Sequence, residues 1–282
     1  MLRSEVQSKT GLTRKAIEYY EEKGIIKPQK LDNGYKDYSE NDCELLAHVS
    51  TLRKIGMSVS EIKEVLHCGS AALVSMLRKK QYQLDIEERK SAILELIVKG
   101  EDQKKIHEKL QQLEKEETIY EKLQSAFPGF FGQLFFLAYQ PFLDEPIRKN
   151  GEEAYAQYIR FLDALPPFKV TKEEQEYIDK SSSFFDRAGI KELHKNKINA
   201  IANMELWLEE NKDSISQYEA YKKSEEYQNS PLKQVQDKLQ NYMIENNYYE
   251  VAIPLIRAFS KSYDAYYQQL IKANDTYVKM SS

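Results

Sequence analysis

The chain has 282 residues, 41% of them hydrophobic and 30% charged, with a formal net charge of −4. It is long enough for two domains, its composition is that of a helix-rich globular protein, and its longest apolar stretch, Phe130 to Tyr139, is too short to span a bilayer. Two cysteines, Cys43 and Cys68, exclude a disulfide framework, and the absence of a charged-then-apolar leader makes a reducing cytoplasm the expected compartment.

Ser4 precedes a short helix predicted over 5–10, which Gly11 stops because glycine enters the left-handed region freely. Thr13 is a good N-cap for a second helix over 14–23, where Ala16, Ile17 and Tyr20 share one face. Two short helices about a tight glycine-containing turn make a helix-turn-helix. In the next segment, PQKLDNGYKDY, the Asn33-Gly34 pair predicts a two-residue type I′ turn and therefore a β-hairpin wing. Ser39, Asn41 or Asp42 caps a helix running to about Lys54 with Leu45, Leu46, Val49 and Leu52 inside. Gly56 closes it, and Ser58 or Ser60 opens a further helix with Ile62, Val65 and Leu66 inside, Ser58-x-x-Glu61 having capping-box form.

From Ser70 to about Val98 there is no Pro or Gly, and Leu73, Leu77, Leu84, Leu94 and Val98 fall on heptad-like spacings. That stripe predicts a dimerisation helix. An intramolecular pairing of 70–98 with a second charged helix over 101–127 is the competing reading. Pro128-Gly129 marks a boundary, after which helices are expected at about 130–140, 151–164, 171–187, 189–211, 214–228, 231–246 and 248–278. Pro254 should kink or break the last of these. The expected fold class is mainly α, with three segments: a winged helix-turn-helix (1–69), dimerisation and linker helices (70–127) and an all-helical domain (128–282).

Charge alone gives DNA binding little support. Residues 1–69 hold 11 Lys and Arg against 11 Asp and Glu, and only the first 36 lean basic, 8 against 5. The basic stripe that usually marks nucleic-acid binding is faint here. Pattern carries more. The segments SEVQSKTGLTRKAIEYYEEKGIIKP, DNGYKDYSENDCELL and LRKIGMSVSEIKEVL closely resemble the MerR family of transcription regulators over residues 1–67, in order and spacing.

The resemblance implies a homodimer joined by antiparallel long helices, with the second helix in the major groove and the wing on the backbone. It implies promoter DNA with an over-long spacer, distorted until RNA polymerase can use it, so that polymerase is an indirect partner. The family's paired tyrosines correspond to Tyr19 and Tyr20, and its wing motif to Gly34, Tyr35, Lys36 and Tyr38. The expected DNA contacts are Thr13, Arg14, Lys15, Tyr19, Tyr20, Tyr35, Lys36 and Tyr38. Tyr20 also shares the Ile17 face, which makes it a candidate core residue. Arg14 and Lys15, at the helix N-terminus, are best placed for base edges. The family usually has Arg at the positions of Glu18 and Lys36. Glu18 should repel a phosphate, and Lys36 keeps the charge without the bidentate fork.

Cys68, beside His67, occupies a place where metal-sensing relatives keep a ligand, but partner thiols after Val98 are missing, so no metal site and no cofactor are expected. His48, His67, His107 and His194 are scattered and no catalytic motif occurs, so the chain does not read as an enzyme. For 128–282 three readings stand. The first is an aromatic pocket for an aromatic or cationic small molecule, formed by Phe135, Tyr139, Trp207, Tyr248, Tyr249, Tyr263 and Tyr267, with Glu205 or Glu250 as buried carboxylates. The second is a protein-interaction module without a ligand. The third makes the whole chain an architectural DNA binder. No membrane partner is expected.

Overall fold

The computed structural model describes residues 1–31, 34–143, 145–182 and 184–281; the side chains of Cys68, Ser70, Ala71, Met280 and Ser281 lie outside the description. The chain divides into two compact units, residues 1–73 and 74–282.

In the first unit, α1 (Arg3–Thr10) ends where Gly11 takes φ 69° and its N–H donates to the Gln7 carbonyl. Thr13 then caps α2 (Arg14–Glu22), its hydroxyl accepting from the Ala16 N–H at 3.2 Å. Strands β1 (Gln29–Lys30) and β2 (Lys36–Asp37) pair antiparallel, with Gln29 opposite Asp37 and Lys30 opposite Lys36. α3 (Glu40–Lys54) and α4 (Val59–Cys68) open on capping boxes, Ser39 with Asp42 and Ser58 with Glu61. Each box satisfies two otherwise orphaned N–H groups. Their apolar stripes close a core of Val6, Ile17, Leu46, Val49, Met57 and Ile62, all essentially without exposure. Full burial of each such side chain is worth about 1.5–3 kcal/mol. Cys43 is a free, buried thiol at the edge of this core.

The hairpin departs from the two-residue turn. Asp32 and Asn33 lie outside the described residues, but Leu31 and Tyr35 are joined by an N–H to carbonyl bond of 2.8 Å, and Gly34 donates to the Leu31 carbonyl. Three residues therefore separate the bonded pair, and Gly34 at φ 81° supplies the left-handed position such a longer loop needs.

The described secondary structure of the second unit is all helical, with no strand. α5 (Ser70–Val98) is a single helix. It is followed by α6 (Gln103–Ala126), α7 (Phe130–Tyr139), a 3₁₀ turn (Gln140–Phe142), α8 (Glu152–Ala164), α9 (Lys172–Ser182), α10 (Arg187–Ala202), α11 (Met204–Glu210), α12 (Lys212–Lys223), α13 (Glu225–Gln228), α14 (Pro231–Glu245), a π-helical turn (Tyr248–Ala252), α15 (Ile253–Phe259) and α16 (Lys261–Ser281). The three-segment division expected from Pro128-Gly129 is therefore corrected. α5 and α6 share one core with the later helices: Tyr82 and Ile86 of α5 and Leu113, Ile119 and Leu123 of α6 lie among Phe136, Tyr158, Ile190 and Phe259.

Four long expected helices are also interrupted. The helix expected over 171–187 stops at Ser182, that over 189–211 breaks at Asn203, that over 214–228 breaks at Ser224 (φ −70°, ψ 151°), and that over 248–278 breaks at Ser260. Ser260 is extended (φ −109°, ψ 121°) because its hydroxyl bonds the Phe142 carbonyl at 3.0 Å and receives the Tyr263 N–H. Pro254 lies in the first turn of α15, directly after the π-helical turn Tyr248–Ala252.

The intramolecular pairing of α5 with α6 is present in the structure. The inner face of α5 pairs with α6 through the stacked rings of Tyr82 and Tyr120 (centroids 3.9 Å), Arg89 with Glu116 (2.6 Å) and Lys90 with Glu117 (3.1 Å). Its other face carries Leu77, Leu84, Leu94 and Val98 in the open, Leu84 at 67% exposure and Val98 at 81%, while Leu73 is half-buried.

Candidate nucleic-acid interface

Amphipathic spacing sorts α2 into two sides. Ile17 and Tyr20 are buried in the head, which leaves Thr13, Arg14, Lys15 and Tyr19 exposed. Tyr19 meets Tyr20 edge-on at 5.8 Å and carries the Lys23 ammonium 5.4 Å from its ring centroid. On the wing Tyr35 stands 65% exposed and Lys36 is partly exposed. These six candidates, Lys36 included, are on accessible surface.

Tyr20 and Tyr38 are not, and their expected contact with DNA is corrected. Tyr20 packs in the core, and Tyr38 is 1% exposed. Its hydroxyl donates to Glu21 and accepts from Arg3 Nε at 3.1 Å. Burial first, and the Glu21 carboxylate second, push the Tyr38 phenol above its ordinary range. An aromatic ring sealed this way ties the wing to α1 and α2 and offers nothing to a phosphate.

Glu18 behaves differently from the expectation drawn for it. Its Oε1 accepts from Arg3 Nη1 at 2.8 Å and from Arg14 Nε at 2.9 Å. Chiefly the Arg14 hydrogen bond, helped by the charge of Arg3, holds its carboxyl below the usual range. One turn later Glu21 pairs with Lys36 of the wing. Glu18 and Glu21 thus collect Arg3, Arg14, Lys36 and Tyr38 from three elements. The repulsion Glu18 would exert on a phosphate is offset by two guanidiniums, and part of the cationic surface is held in ion pairs. Arg3 and Glu21 escaped the sequence reading because their partners lie 15 or more positions away; no local spacing signals such contacts.

The family model "MerR HTH family regulatory protein" matches residues 1–67. The chain is 30% identical over 108 residues to "HTH-type transcriptional regulator CueR" of Yersinia pestis, an alignment covering 35% of this chain and 78% of that protein. The chain belongs to the MerR family. It is also similar to "HTH-type transcriptional regulator HmrR" of Rhizobium leguminosarum bv. viciae, 39% over 62 residues, covering 22% of this chain and 48% of the relative. With CueR of Salmonella typhi the identity is 38% over 65 residues, covering 23% and 47%. The chain thus spans about half the length of these last two relatives. No solved structure matches. The fold and the relatives make this MerR-family chain a DNA-binding transcription regulator.

The helical unit of this MerR-family protein does not assemble the expected aromatic pocket. Phe135, Tyr139, Tyr248 and Tyr263 do come together, but as packing. The Tyr139 and Tyr248 hydroxyls are hydrogen-bonded at 3.0 Å, Tyr139 meets Tyr263 at 5.6 Å, and Phe135 meets Phe127 at 4.7 Å. Burial raises the phenols of Tyr139, Tyr248 and Tyr263 above their ordinary range. Tyr267 lies on this cluster's edge under the Arg257 guanidinium (4.6 Å).

Trp207 and Tyr249 are exposed, and so are Glu205 and Glu250, so neither is the buried carboxylate a cation would need. Among the described residues the buried carboxylate is Glu116, held by Arg89 (2.6 Å) and by Gln140 Nε2 (2.8 Å). Its sequence neighbourhood is a charged helical face, which hid it. Among the described residues no group of three or more His, Cys, Asp or Glu is arranged to hold a metal, and no helix is long and apolar enough to cross a membrane. The Cys68 side chain lies outside the described residues.

Proposed function

We propose that this regulator works as a homodimer on promoter DNA, with the two copies joined through antiparallel α5 helices and the helical unit serving as its input domain. The observation that carries this reading is the two-faced character of α5. Tyr82 and Ile86 are buried within their own chain, whereas Leu77, Leu84, Leu94 and Val98 keep an exposed apolar stripe at heptad spacing on another face. A stripe of that kind on a charged helix fits a partner helix. In the dimer, α2 enters the major groove with Arg14 and Lys15 toward base edges, while Tyr19, Tyr35 and Lys36 meet the backbone.

Activation by promoter distortion, with RNA polymerase as the indirect beneficiary, follows the family's mode of action and trades DNA deformation energy against protein contacts. Light scattering on the full chain tests the dimer. The wild type should run as a dimer and the Leu84→Glu/Leu94→Glu variant as a folded monomer that binds its operator weakly. A wild type that is monomeric at micromolar concentration overturns the reading. Transcription from a promoter with an over-long spacer, with and without the protein, tests distortion.

A further inference from the structure

A cleft of about 390 Å³ opens between α5, the C-terminal end of α7 with the turn that follows, and α10. Its walls bring Arg89, Lys191 and Lys195 together; Asp85 is already held by Arg187 at 2.9 Å and Arg89 is paired with Glu116 at 2.6 Å, so the excess positive charge comes from the two lysines. In a chain with net charge −4, this is a local excess of cations, and it favours an anion.

Lys191 and Lys195 sit one turn apart on α10, both exposed; Lys191 forms no ion pair among the described residues, and Lys195 has only the exposed Glu192 at 4.0 Å. Between them in sequence, His194 bonds the Leu134 backbone through one ring nitrogen, and its Nε2 is buried without a partner. Behind the wall Arg187, 7% exposed, bonds Asp85 and Gln140, and its Nε likewise lacks a partner. Buried polar atoms left unsatisfied are rare, because each forfeits its hydration. Leu137, Pro141 and Ile198 supply an apolar side. Volume and mixture are those of a small-molecule site.

We propose that this cleft binds a small organic anion, a carboxylate or phosphate carried on an apolar body of about ring size. The proposal rests on the input role given above to the helical unit, and it differs in charge from the aromatic or cationic molecule of the first sequence reading. The anion sits against Lys191, Lys195 and Arg89, with its body on Leu137 and Ile198. Arg89 and Asp85 belong to α5, so a ligand that draws Arg89 from Glu116 changes what fastens α5 to the rest of its unit.

The test titrates the full chain with phenyl phosphate and with benzoate, against phenol and benzyl alcohol at matched ionic strength. Binding is read by calorimetry, and unfolding of this unit by the fluorescence of Trp207, the chain's one tryptophan. One anion or both should bind saturably, one per chain, and raise the unfolding temperature, and their ranking separates phosphate from carboxylate; the neutral analogues should do neither. Lys191→Gln/Lys195→Gln should weaken binding by about tenfold or more, and the control Lys223→Gln should leave it unchanged. No saturable binding by the wild type, equal binding by the double variant, or displacement of duplex DNA as the sole effect of the anions overturns the site. Cleft-dependent binding without any change in transcription upholds the site and removes the input role; a transcriptional response that survives the double substitution does the reverse.

Discussion

Arg14 Nε donates to Glu18 Oε1 across 2.9 Å, so the side chain proposed above to face base edges is tied to a carboxylate one turn along its own helix. Arg3 shares the same oxygen. On DNA the phosphates must compete with Glu18 for both guanidiniums, and the pairs are accessible enough for that competition to occur.

Replacing Glu18 should therefore tighten binding twice over. Glu18→Gln releases Arg3 and Arg14 and should raise affinity by about threefold, and Glu18→Arg, which adds a cation, by about tenfold with a salt slope steeper by about one. Fluorescence anisotropy on a DNA fragment selected by the full chain, between low and moderate salt, checks both. Unchanged affinity in both variants would place this cluster away from the backbone and undo the docking of α2.

Tyr38→Phe should separate packing from recognition. The substitution removes the hydroxyl that bridges Glu21 and Arg3 while keeping the buried ring. The head should lose about 1.5–3 kcal/mol, the worth of a hydrogen bond to charged partners, yet folded protein should bind DNA with wild-type salt dependence. A shallower salt slope with unchanged urea stability would restore Tyr38 to the interface.

What the sequence made legible was local chemistry. Thr13 marks its helix, and Ser39 and Ser58 stand among the candidate caps for theirs, because each hydroxyl caps an N–H only three positions away. The heptad leucines of α5 are legible for the same reason of spacing. The breaks at Asn203 and Ser260 are not, since neither is a Pro or a Gly, and Ser260 is bent by the Phe142 carbonyl 118 residues away. The same holds at the head, where Glu18 looked repulsive until Arg3 was folded against it. The tyrosines of the helical unit fall at helical spacings that fit a pocket wall and a core equally, and only their mutual contacts decide for the core.

His194 gives the helical unit a pH dependence of definite sign. Burial, and then the neighbouring Lys197, hold its imidazole below the ordinary value of 6.5. The charges around it are Asp85 and Arg89 on α5 and Lys191, Lys195 and Lys197 on α10. The native unit keeps the ring neutral while the unfolded chain protonates it, so stability is fully present above pH ~6.5 and is lost as pH falls toward the depressed native value. Urea midpoints followed by Trp207 should fall between pH 7.5 and 5.5 in the wild type, and His194→Asn should flatten part of that fall. An identical decline in both proteins would assign it to other groups.

Gly132→Ala sets two opposing effects against each other. Gly132 lies inside α7, where alanine is preferred to glycine by about 1 kcal/mol. A Cβ there would stand 2.4 Å from the Phe127 carbonyl oxygen, 2.8 Å from Gln124 Nε2 and 2.9 Å from the Leu123 carbonyl oxygen. Two of these neighbours are backbone, so the clash cannot be relieved by turning a flexible side chain. Moving α7 away from α6 would disturb the contact between Phe127 and Phe135. Overpacking of a close helix crossing typically costs about 1–3 kcal/mol and exceeds the propensity gain where the backbone itself must shift. The expected outcome is a less stable helical unit, read by Trp207 fluorescence, with the head still folded. A stabilised variant would mean that α6 and α7 part more easily than their packing implies.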